Sequence, residues 1–258
     1  MPTRPALASP RISSVGQGAP VVLLHCLGVD RHLWDATVER LQGRFRCLTY
    51  DFPGHGETPV PAGAYTIEDL SAQLGEVLAS QRIERAHVIG ISLGGLVAQH
   101  FAAARPERVQ RLVLADTTPR YTGEMREMWA TRAAAARGAG PGSMTEGILK
   151  IWFTAAFAAN NPPAVRYVRE CFARTSGEGY ALACEALAAA DLRPLAPRIE
   201  APALVLCGDQ EVPAFLEASQ WLTAHIPGAR HEKIAPAKHA SVLEQPEAFL
   251  RRVTEFLG

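Results

Sequence analysis

Five residues, Gly90-Ile91-Ser92-Leu93-Gly94, constrain this chain more than any other stretch. The apolar run His87-Val88-Ile89 leads into them, and a helix-like run from Leu93 to Ala104 leads out. The order strand, tight turn, helix puts a serine at the apex, where its hydroxyl projects clear of the sheet. Glycine two positions to either side leaves room for a strained backbone and for close packing of helix on strand. The pattern alone is an ordinary turn. It makes Ser92 a nucleophile only if the chain also supplies a base, an acid and an oxyanion hole in the matching order.

The surrounding segments alternate. Residues 21–24, 46–50, 87–91, 109–115 and 203–207 read as strands, several of them continuous apolar runs of the kind buried on both faces of a parallel sheet. Helical patterns fall between them at 33–41, at 67–81 behind the capping box Thr66-Ile67-Glu68-Asp69, and at 93–104. A strand at 231–234 and helices at 215–226 and 246–257 complete the series, with 11–15 as an edge strand. The expectation is an α/β fold, a doubly wound and mostly parallel sheet. The rhythm breaks between 116 and 198, an alanine-rich stretch with helical patches at 124–137, 145–158, 164–175 and 179–190 and no strand. We therefore expect a core of residues 1–118 and 197–258 with a helical lid at 119–196.

Length and composition fit one compact enzyme. A chain of 258 residues buries about three quarters of its unfolded surface on folding. Lys plus Arg equals Asp plus Glu at 26 each, which leaves no electrostatic footprint for nucleic acid or an anionic membrane. The five cysteines are odd in number and widely spaced, as reduced thiols are. With no apolar leader segment and no run long enough to span a membrane, the expected location is the cytoplasm.

A serine hydroxyl needs an adjacent base, and histidine has the matching pKa. Of eight histidines, His239 is the best placed, in the loop after the last strand, at the end of the sheet where Ser92 lies. The acid that orients it should also follow a strand. Glu211, in Gly208-Asp209-Gln210-Glu211, gives the chain order Ser, acid, His; Asp116 and Asp209 compete, each just past a strand end. Backbone N–H groups of Leu93, at the helix start, and Leu27, in His25-Cys26-Leu27-Gly28, are candidates for the oxyanion hole. Trp129, Trp152, Phe153 and Phe157 are candidate pocket residues, and Arg132, Arg137 and Lys150 candidate partners for a substrate carboxylate. No His/Cys cluster suggests a metal, and the chemistry calls for no organic cofactor.

Taken in order, His25-Cys26-Leu27-Gly28, Asp51-Phe52-Pro53-Gly54-His55-Gly56, the Ser92 turn, residues 208–213 and His239 resemble the α/β-hydrolase superfamily over nearly the whole chain. Residues 27–35, Tyr65-Thr66-Ile67-Glu68-Asp69-Leu70, Ile151-Trp152-Phe153-Thr154, Glu178-Gly179-Tyr180-Ala181 and Ala190-Asp191-Leu192-Arg193 look like 3-oxoadipate enol-lactonases. That resemblance implies a cofactor-free hydrolase acting on a small-molecule ester or lactone through an acyl-enzyme. The chain departs from the enol-lactonases in carrying glutamate at 211, where they usually have aspartate, and histidine at 25. A broader carboxylesterase, a carbon–carbon bond hydrolase, a perhydrolase and a non-catalytic binding protein are the competing readings.

Overall fold

The computed structural model describes residues 7–258, so the first six residues of the expected core lie outside it. Seven strands, β1 (Ile12–Val15), β2 (Ala19–Leu24), β3 (Phe45–Tyr50), β4 (Ala86–Ile91), β5 (Val109–Ala115), β6 (Ala203–Gly208) and β7 (Arg230–Ile234), form one sheet in the order β1-β3-β2-β4-β5-β6-β7. β1 runs antiparallel to β3 at the edge, and every other neighbouring pair is parallel. The chain steps outward from β2 to β3 and then returns to place β4 on the other side of β2. The β2/β4 boundary is therefore the topological switch point, where parallel sheets open a crevice at their carboxyl ends. Leu24 lies in register with Gly90 across it, so the loops carrying Leu27 and Ser92 emerge side by side.

Helices cover the sheet and keep its apolar runs dry. These are α1 (Asp35–Leu41), α2 (Ile67–Ser80), α3 (Leu93–Ala104), α9 (Pro213–His225), the single turn α10 (Ser241–Glu244) and α11 (Pro246–Leu257). The capping box forms as its sequence demands: Thr66 Oγ1 accepts from Asp69 N–H at 3.2 Å, and the Asp69 carboxylate accepts from Thr66 N–H at 2.8 Å. Such a cap contributes about 1 kcal/mol.

Between β5 and β6 all regular structure is helical: α4 (Gly123–Ala139), α5 (Thr145–Trp152), α6 (Ala155–Ala159), α7 (Pro163–Arg174) and α8 (Gly177–Ala189). α4 packs along α8, and α5 against α7. The two ends of the segment meet at an isolated bridge between Arg120 and Asp191, with Leu192 N–H donating to Pro119 O at 2.8 Å. One expectation fails in detail. Residues 145–158 form two helices, not one, because Phe153 is extended (φ −126°, ψ 149°) and Thr154 caps the next helix by accepting from Phe157 N–H.

Candidate active site

Ser92 occupies a sharp bend, with φ 51° and ψ −114°, a conformation that costs a non-glycine residue about 1–3 kcal/mol. Its surroundings impose it. Ser92 N–H donates to Ala115 O at 3.0 Å, and Gly94 N–H donates to His25 O at 3.1 Å. A Cβ on Gly90 would strike the Gly94 carbonyl, and one on Gly94 would strike the Leu24 carbonyl. Both glycines are thus required by the close approach of α3 to β2 and β4, and the serine between them is pushed outward.

His239 comes from the loop after β7 and Glu211 from the turn after β6. His239 Nε2 lies 3.1 Å from Ser92 Oγ, and its Nδ1 lies 2.5 Å from Glu211 Oε2. Glu211 Oε1 accepts from Val212 N–H at 2.8 Å, so both carboxylate oxygens are occupied. With Nδ1–H donating to the carboxylate, Nε2 is left to accept the serine proton. Burial opposes a charge on His239, but the Glu211 carboxylate, its hydrogen bond and the nearby Asp116 outweigh that, so its pKa is raised above the ordinary imidazole value of 6.5. Asp209 is spent elsewhere, accepting from Ala237 N–H at 2.9 Å. Asp116 likewise accepts from Gly208 N–H at 2.9 Å and from Ser241. Of the three acids considered, only Glu211 makes a hydrogen bond to His239.

Leu93 opens α3, where a first-turn N–H has no carbonyl partner within the helix. Leu27 lies in the loop after β2 and shares a cavity wall with Ser92. His25 holds that loop: Nδ1 donates to Cys26 O at 2.8 Å, and Nε2 accepts from Phe52 N–H at 2.9 Å. The bond accepted at Nε2 needs the neutral ring, and burial lowers the pKa of His25 accordingly. Burial pushes the Cys26 thiol up, which makes it inert.

A cavity of about 140 Å³ opens onto Ser92 and His239, close in size to one known to hold benzene. Trp129 and Trp152 line it, together with Met125, Met128, Ile148, Ile151, Phe172, Tyr180 and Phe215. Phe153 and Phe157 do not. They stack on each other with centroids 5.3 Å apart, and Phe153 lines a separate groove between α5 and α7. The helix break explains the correction, since the extended backbone at Phe153 turns its ring away from the side that Trp152 faces. Of the three candidate cations, only Arg132 lines the cavity, with Cζ 5.0 Å from the Trp129 ring centroid. Arg137 is paired with Glu178 at 2.7 Å and Glu185 at 2.5 Å, and Lys150 lines the groove beside Phe153. Among the described residues no group of three or more His, Cys, Asp or Glu is placed to hold a metal ion.

Residues 19–246 match the family model of the alpha/beta hydrolase fold. The chain belongs to that family. It is 34% identical to 3-oxoadipate enol-lactonase 2 of Acinetobacter baylyi, over 89% of this chain and 85% of that one. It is 32% identical to a pimeloyl-[acyl-carrier protein] methyl ester esterase of Chromobacterium violaceum, over 95% and 97%. The crystal structure of an enol-lactonase from Burkholderia xenovorans superposes with a TM-score of 0.92 at 36% identity, covering 96% of each chain. Within this α/β hydrolase, sequence reasoning missed Phe215, whose ring meets the His239 ring edge-on at 4.8 Å, and Tyr180 in the cavity wall. Their positions depend on how α8 and α9 are folded back over the sheet, and no local pattern marks them.

Proposed function

We propose that this α/β hydrolase is a serine hydrolase that opens a small anionic lactone of the 3-oxoadipate enol-lactone type. The observation that carries the reading is the cavity: it is compact, apolar, entered by Ser92 and His239, and provided with one permanent cation, Arg132. A single ring with a short carboxylate arm fits such a space, whereas a long acyl chain on a carrier protein overfills it. The enol-lactonase relatives support the same substrate class.

In this mechanism His239 Nε2 takes the Ser92 proton as Oγ attacks the lactone carbonyl. The developing oxyanion is held by the Leu27 and Leu93 N–H groups. Collapse breaks the ring C–O bond, the enolate oxygen takes the proton back from His239, and the ring-opened acyl group remains on Ser92. A water molecule, deprotonated by His239, then attacks the ester; the carboxylic acid leaves and Ser92 regains its proton. Glu211 holds the imidazole in the tautomer this requires and stabilises its charged form. Residues 119–196 act as the lid that supplies Arg132 and the apolar wall. Five free, buried cysteines support action in the reducing cytoplasm.

The test is hydrolysis of 3-oxoadipate enol-lactone beside a short aryl ester and a pimelate methyl ester, by the wild type and Ser92→Ala. Fast lactone opening that falls by about 10⁴-fold or more in the variant supports the proposal. Cleavage of the aryl or methyl ester without lactone opening would keep the serine mechanism and remove the lactone assignment.

A further inference from the structure

Three consecutive residues at the end of β5 touch every loop that carries a catalytic side chain. Ala115 O accepts from Ser92 N–H at 3.0 Å, and Thr117 Oγ1 donates to Ser92 O at 2.8 Å. Between them, Asp116 N–H donates to Leu206 O at 2.9 Å, and Asp116 Oδ1 accepts from Gly208 N–H at 2.9 Å, at the base of the turn that carries Glu211. Asp116 Oδ2 accepts from Ser241 Oγ at 2.5 Å and from Ser241 N–H at 3.3 Å, two residues beyond His239. Asp116 and Ser241 have no solvent exposure, and Asp116 holds φ at +43°, a left-handed conformation that aspartate and asparagine tolerate better than most residues. Nothing in the proposed reaction uses this carboxylate, yet three buried donors converge on it.

We propose that Asp116 is a positioning residue: its carboxylate joins the Glu211 turn to the His239 loop and fixes both in register with the Ser92 bend. The proposal rests on the serine hydrolase reading above. One carboxylate bridging two loops sets the Glu211–His239 and His239–Ser92 distances together, because neither loop can shift without breaking a buried hydrogen bond. Removing it leaves Gly208 N–H and Ser241 N–H without partners, and each loop then relaxes to find one. Misplacement of a catalytic group by about 1 Å costs about 100-fold in rate.

Charge follows from the same geometry. Asp116 faces Glu211 from the turn after β6, His239 from the loop after β7, and the thiols of Cys207 and Cys26. Burial and the neighbouring Glu211 push its own carboxyl up to about 7, while its charge raises the pKa of His239. Asparagine at 116 keeps the left-handed backbone and one acceptor oxygen but removes that charge.

The experiment follows Ser92 labelling by a fluorophosphonate against pH in the wild type, Asp116→Asn, Asp116→Ala and Val253→Ala, the last a buried helix residue remote from the site that controls for loss of stability. The Nδ1–H proton resonance of His239 is recorded for each by NMR. Expected are labelling about 100-fold slower in Asp116→Ala and about 10-fold slower in Asp116→Asn, with the acid limb of Asp116→Asn moved to lower pH. The downfield His239 resonance should shift or broaden in Asp116→Ala but not in Val253→Ala. Labelling within twofold of wild type in both Asp116 variants, or losses no larger than in Val253→Ala, would overturn the proposal. Wild-type protein that is not labelled at Ser92 would refute the serine hydrolase reading. The resonance still reports the Glu211–His239 contact in that case, and an unaltered signal in Asp116→Ala would refute the positioning role separately.

Discussion

Replacing Arg132 with glutamine should separate anionic from neutral substrates. Arg132 lies half-buried on the cavity wall, over the Trp129 ring, and is the one permanently charged cation among the described residues that line the cavity. The neighbouring wall is methionine, isoleucine and aromatic, so little water is available to screen a substrate carboxylate from it. A hydrogen bond to a charged group is worth about 1.5–3 kcal/mol, or about 10–150-fold. Arg132→Gln should therefore lower kcat/KM for the enol-lactone anion by about that factor, mostly through KM, while turnover of p-nitrophenyl acetate stays within about threefold. Arg132→Lys should recover part of the loss, because a point charge lacks the planar fork that grips a carboxylate in two places. Equal losses on both substrates would refute the reasoning and assign Arg132 to packing of the Trp129 wall. No loss on either would place the carboxylate elsewhere.

Three further outcomes follow from the same geometry. The raised pKa of His239 puts the acid limb of kcat/KM above pH 6.5, because the imidazole must be neutral to accept the serine proton; a limb at or below 6.5 in a pH-rate profile would contradict it. The same shift stabilises the fold below the unfolded-state value, and that contribution is lost as pH rises through the folded pKa. Glu211→Gln should lower kcat by about 10⁴-fold with KM little changed, through loss of the tautomer and of the charge facing the imidazolium; steady-state kinetics on the aryl ester measure it. Cys26, buried and with its thiol pKa pushed up, should resist iodoacetamide in the native protein and react only after unfolding, as peptide mapping would reveal.

The sheet was legible because short continuous apolar runs such as Val21-Val22-Leu23-Leu24, recurring between helical patterns, suit strands covered on both faces. The Ser92 bend was legible from its glycines, whose need is steric and local. The choice among Glu211, Asp116 and Asp209 was less so, since each follows a strand end and chain order only favours Glu211. What separates them is three-dimensional: Asp209 is drawn to Ala237 N–H, and the left-handed turn at Asp116 aims its carboxylate at Gly208 and Ser241. Arg137 and Arg132 are equally plausible on one helix until Glu178 and Glu185, from another helix, pair with Arg137. Trp152 and Phe153 are adjacent aromatics whose opposite destinies depend on a helix ending between them.

That helix end also decides how the helical segment meets the His239 loop. Trp152 O accepts from Ala240 N–H at 3.0 Å. The buried Glu244 carboxylate accepts from Thr154 N–H and from Lys238 N–H, each at 3.0 Å. Lys238 Nζ donates to Lys150 O at 2.8 Å. Both chain neighbours of His239 are therefore held by residues 150–154, and the Trp152 ring, 6.0 Å from the His239 ring, forms the cavity wall on the same short unit. A swing of the whole segment would strip these bonds and strand the buried Glu244 carboxylate, at a cost of several kcal/mol. The α5–α6 junction thus behaves as part of the support of the His239 loop. α4, which carries Met125, Met128 and Arg132, has no such ties to the His239 loop among the bonds described here, so the cavity wall it forms is held to that loop less directly than the wall formed by Trp152.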